Sequence, residues 1–162
     1  MHTVKSLALV FIIALTFSGF MISLPTLASE HKHDSHHNAQ QEMLKLNQGV
    51  KWPIDASLHT GMSKIKNAVE TNISPIHTKQ FTSPQYQALA SEIKIHLVYL
   101  FENCKLPTKA DAQLHILLFK VMQGSEQMHQ GDNQRGGAIK IIKALQQYPQ
   151  YFDDKNWQVL KH

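Results

Sequence analysis

Four stretches of the chain place apolar residues three and four positions apart, the spacing of a single helical face. The first carries Leu58, Met62, Ile65, Val69 and Ile73, with Asp55 as a good N-cap before it and Ser74-Pro75 predicted to close it. Gly61 and Ala68 flank this stripe and would let a neighbouring helix come close. The second is predicted to open at Ser83-Pro84 and carries Tyr86, Leu89, Ile93, Leu97, Leu100 and Cys104. Its middle, IKIHLVYLF, is apolar on nearly every side, as in a central helix or one half covered by a partner. After KLPT, where Thr108 and Asp111 have capping-box spacing, a third helix carries Leu114, Leu118, Val121, Ser125 and Met128. His115, Phe119 and Met122 fall on its adjoining face, and Gly131 stops it. Asp132 or Asn133 caps a fourth helix with Ala138, Ile141, Ile142, Leu145 and Tyr148 inward, predicted to end at Pro149. YFDDKNW should then fold back on the end of the helices. Short second and third connections make neighbouring helices antiparallel, so residues 55–157 are predicted to form an all-α, up-down four-helix bundle.

Ahead of the bundle the pattern changes twice. In MLKLNQGVKW, Leu44, Leu46, Val50 and Trp52 are set among lysines around an Asn47-Gln48-Gly49 turn, so residues 43–54 are expected to form a short arm or hairpin anchored by Trp52. Residues 29–42 have no apolar periodicity and read as a disordered, His-rich tail. Residues 1–28 have the layout of a secretory signal: a basic start, the apolar run SLALVFIIALTFSGFMISL, then small residues at Thr26 and Ala28. Cleavage after Ala28 would send a mature chain without a spanning segment to the periplasm or the exterior.

Composition refines this picture. About 130 mature residues suffice for one core of ordinary size. Lys and Arg number 16 against 12 Asp and Glu, but Arg135 is the only arginine. One arginine is a poor endowment for bidentate phosphate recognition, so the basic balance does not point to nucleic acid. Cys104 is the only cysteine, which rules out an internal disulfide. Its simplest reading is a buried, inert thiol. It also lies about 12 Å along its helix from His96, too far to be activated by it. Paired acids and a glycine-rich phosphate loop are both missing, and the chain reads as non-enzymatic.

The candidate chemistry is that of metal ligands. Residues 29–37 read SEHKHDSHH. With the N-terminus at Ser29, the free amine, the amides of Glu30 and His31 and the His31 imidazole form a square-planar set that selects Cu(II) or Ni(II). His33, His36 and His37 could add a weaker site for Zn(II) or copper. A polar tail with incidental metal affinity is the plainer alternative. A second candidate lies in the bundle. Counting about 1.5 Å per residue puts Met62, His96, His115 and Ile142 roughly 9 to 12 Å from the same end. A thioether and two imidazoles at one level would suit copper, whereas boundary histidines bonded to backbone or water would need no metal. Haem-binding bundles also use an early methionine such as Met62. The last helix here, AIKIIKALQQY, lacks the partner histidine, and CxxCH is absent, so haem is disfavoured.

Three blocks, LNQGVKWPIDASLHTGM, ENCKLPTKADAQLH and GGAIKIIKALQQYPQYFDDKNW, resemble those of DnrO-like exported bacterial proteins. The resemblance spans most of residues 31–157. It implies a signal peptide, a His-rich stretch and a small bundle, and it implies no reaction. The expectation is a small periplasmic protein that binds or buffers a transition metal, copper first, through its tail. The alternatives are an interaction or envelope-stress module with an unidentified partner, and a haem-binding electron carrier.

Overall fold

The computed structural model describes residues 43–161, and the signal and His-tail expectations lie outside them. Four helices follow in order: α1 (Ala56–His77), α2 (Ser83–Asn103), α3 (Thr108–Gln130) and α4 (Gln134–Tyr151). Each packs on the next, and α4 also contacts α1 and α2, closing the bundle. Every apolar residue assigned inward above on the first, third and fourth helices is buried. The described residues contain no strand.

The helix ends show how local chemistry sets the frame. One Asp55 carboxylate oxygen accepts from the Leu58 amide at 2.6 Å, capping α1, while the other accepts from the Lys105 amide at 2.6 Å. A single side chain thus caps one helix and fixes the α2–α3 connection beside it. For α2 the cap is Thr82, one residue earlier than Ser83-Pro84 suggested. Its amide and hydroxyl both donate to the Gln85 side-chain oxygen, at 2.8 and 2.9 Å. Proline needs no partner for a missing N–H anywhere in the first turn, so Pro84 alone could not fix the start. Pro107 occupies the cap position of α3, and Thr108 is already helical, so the expected Thr108–Asp111 capping box is absent. Asn133 caps α4 through its side chain, which accepts from the Gly136 amide at 3.2 Å.

Two expected stops are not stops. Pro75 and Pro149 lie inside α1 and α4, each of which continues past its proline. Each proline sits in a last turn, where a missing donor removes only one bond of the ladder. Burial holds that turn in place: Ile76 and Phe152 are fully enclosed.

The arm is a tight turn rather than a ladder. Asn47 and Val50 exchange two backbone bonds, at 2.8 and 2.9 Å, around Gln48 and Gly49, both at positive φ. Trp52 then joins the arm to the end of α4. Its amide donates to the Tyr151 carbonyl at 2.8 Å, its carbonyl accepts from the Asp153 amide at 2.9 Å, and its indole donates to the Lys45 carbonyl at 2.6 Å. With Leu44 and Trp52 buried, this arm belongs to the core.

Glycines set the closest approach. A Cβ on Gly124 would stand 2.6 Å from the Gly137 carbonyl, and one on Gly137 would stand 2.5 Å from the Gly124 carbonyl. The backbones of α3 and α4 therefore meet directly. Gly61 admits the Leu100 side chain of α2 in the same way.

Candidate functional site

The chain beyond α4 folds over the bundle end that Asp55 caps. There the buried Asp154 carboxylate gathers three donors: the His59 ring through Nδ1 at 2.8 Å, the Tyr148 hydroxyl at 3.1 Å, and the Asn156 amide at 3.1 Å. Tyr148 is itself fully enclosed, with the Trp157 ring 4.5 Å and the Phe152 ring 5.4 Å from its own. Burial, then the neighbouring Asp154 charge, pushes its phenol far above the ordinary range, so it stays protonated and donates to Asp154. A buried carboxylate that orients a half-exposed histidine is a familiar catalytic and metal-site device. Here its other donors come from Tyr148 and a backbone amide, and its evident effect is to lock the C-terminal segment onto α1. Helical periodicity carries no sign of it, because His59 and Asp154 lie on elements far apart in the chain.

The bundle candidates occupy three different settings. Met62 is fully buried in the apolar core. His96 lies in the groove between α1 and α2 with Lys64, Asn67, Asn72 and Glu92. Burial lowers its pKa, the Glu92 carboxylate at 4.0 Å opposes that, and Lys64 adds to it, so a neutral ring is favoured. His115 is exposed on α3; its Nδ1 lies 2.9 Å from the Asp111 carbonyl and 3.3 Å from the Asp111 carboxylate, and its ring is 5.8 Å from that of Phe101. Distance along the bundle axis groups these three, but rotation about each helix decides which way a side chain faces. Both histidines have local partners that need no metal. Among the described residues, no group of three or more His, Cys, Asp or Glu could hold a metal ion. Ser29, Glu30, His31, His33, His36 and His37 lie outside those residues.

Cys104, the C-cap of α2, is half-buried. Burial, aided by the Asp55 and Asp111 carboxylates, pushes its thiol up to about 12, so the nucleophilic thiolate is disfavoured.

The feature that inward-facing stripes could not reveal is on the outside. Ile95, Val98 and Phe101 of α2 and Phe119 and Met122 of α3 are all exposed. The sequence signal was IKIHLVYLF, a helix segment apolar on more sides than a core needs. No helix among the described residues is long and apolar enough to cross a membrane. Comparison of the chain with protein-family models, curated proteins and solved structures finds no match in any of the three.

Proposed function

We propose that the protein binds or buffers a transition metal, copper first, through residues 29–37, with the helical bundle as their carrier. The observation that carries this reading is the order Ser29-Glu30-His31 followed by His33, His36 and His37. An amine, two amides and an imidazole supply four nitrogens in a plane for Cu(II), and the later histidines supply a looser second set. The signal-like layout of residues 1–28 fits this reading, because cleavage after Ala28 would create the amine. The resemblance of three sequence blocks to DnrO-like exported proteins points to the same compartment.

The test is a Cu(II) titration of protein matured by export, its N-terminus fixed by mass spectrometry. One ion should bind much more tightly than the rest, with the visible absorption of a square-planar nitrogen complex. His31→Ala should remove that ion and leave weaker binding to His33, His36 and His37. Unchanged tight binding after His31→Ala, or a mature chain starting elsewhere, would overturn the chelate.

The exposed apolar face of α2 and α3 favours a second reading, an interaction module whose bundle docks a protein partner.

A further inference from the structure

The exposed face of α2 and α3 has a size and an internal order. Ile95, Val98, Phe101, Phe119 and Met122 are 43 to 67% exposed. The exposed surfaces of these five side chains sum to roughly 450 Å², within the range of the largest apolar patch on an ordinary monomer. A homodimer interface of standard size covers about 800 Å² on each partner, of which about 65% (~520 Å²) is apolar. The patch is therefore close to what one half of such a dimer supplies.

Its order along α2 is symmetric about Val98. Ile95 stands three residues before it and Phe101 three after; Lys94 stands four before and Glu102 four after. All five side chains are exposed, and among the described residues neither Lys94 nor Glu102 has an ion-pair partner. At about 1.5 Å per residue, each member of a pair lies the same distance from Val98, about 4.5 Å for the apolar pair and 6 Å for the charged pair. An antiparallel crossing of two copies of α2, with the two-fold axis at Val98, brings opposite charges level twice. A parallel crossing in register would set Lys94 beside Lys94 and Glu102 beside Glu102.

We infer that the α2–α3 face is covered by a second copy of this chain, in an isologous dimer whose two-fold axis passes Val98, with Lys94 of each copy paired to Glu102 of the other. This specifies what covers the face in the interaction reading, and it is independent of the metal reading.

Sedimentation velocity on the export-matured protein, up to about 100 µM, tests it. The expected result is a reversible dimer that Val98→Glu converts to monomer with an unchanged helical circular-dichroism spectrum. Lys94→Glu and Glu102→Lys should each weaken the dimer by about tenfold, and the double variant Lys94→Glu/Glu102→Lys should restore it. Val98→Cys should cross-link to itself under mild oxidation. A monomer at every concentration would overturn the inference, as would a dimer indifferent to Val98→Glu or a double variant no better than the single ones. A face occupied instead by an unrelated protein, or by the apolar run at residues 6–24, would leave the purified mature chain monomeric. None of these outcomes alters copper binding.

Discussion

His59 of α1 and Asp154, 95 positions later in the chain, are joined through Nδ1 at 2.8 Å, and the same carboxylate oxygen accepts the hydroxyl of Tyr148. One buried acid thus ties the first helix, the last helix and the segment beyond it into a single polar node. Asp154→Ala leaves the enclosed Tyr148 hydroxyl without this acceptor and should cost about 2–4 kcal/mol in urea unfolding. Asp154→Asn keeps an acceptor oxygen and should cost clearly less. A loss below about 1 kcal/mol for the alanine variant would show that the node carries little stability.

Gly124 and Gly131 should fail for different reasons when replaced by alanine. At Gly124 the added methyl meets the Gly137 backbone, forcing α3 and α4 apart at a cost of about 1–3 kcal/mol. At Gly131 there is open space, but φ is +93°, so the penalty is backbone strain of about 1 kcal/mol. Chemical denaturation of the two variants should rank them in that order.

Acid should destabilise the fold in two windows. Burial holds His96 below its ordinary 6.5, so the unfolded chain takes up that proton first; stability present above 6.5 is lost as pH falls through the folded value. Glu70 is held below 4.5, first by its bond from Lys66 and then by the Lys161 amide at 2.8 Å. Its contribution is present above 4.5 and lost as pH falls through its lower folded value. Thermal melts across pH should lose the first step in His96→Gln and the second in Glu70→Gln. The same two steps surviving in both variants would rule out this assignment.

Cys104 should resist alkylation in the native protein at pH 8 and react at the ordinary thiol rate in denaturant, because burial disfavours its thiolate. Intact-mass measurement after iodoacetamide treatment reads this directly. Rapid native labelling would mean that the end of α2 opens readily.

The inward stripes were legible because a helix with one buried face repeats that face every three or four residues: Leu58 to Ile73 and Ala138 to Tyr148 needed no further information. Pro75 and Pro149 misled because a proline in a last turn removes only one bond, while the burial that extends those turns is tertiary. The Met62–His96–His115 grouping rested on distance along an axis, and the facing of each ring depends on packing that spacing does not encode. The Asp154 node was hidden for a related reason: its members have no common period. The outer face was half legible, since IKIHLVYLF signalled surplus apolar surface without saying where it would emerge.

Trp52 and Glu70 together decide how the fold comes apart. Trp52 bonds the arm to the end of α4, and Glu70 holds the amide of Lys161 against α1. Stretches flanking a helical core are ordinarily where fraying starts, and proteases begin at such frayed backbone. Here the stretches on both sides of the four helices are stitched to helices far from them in the chain. Within residues 43–161 cleavage must therefore wait for a large cooperative opening, so the resistance of this part of the chain to digestion should follow global stability.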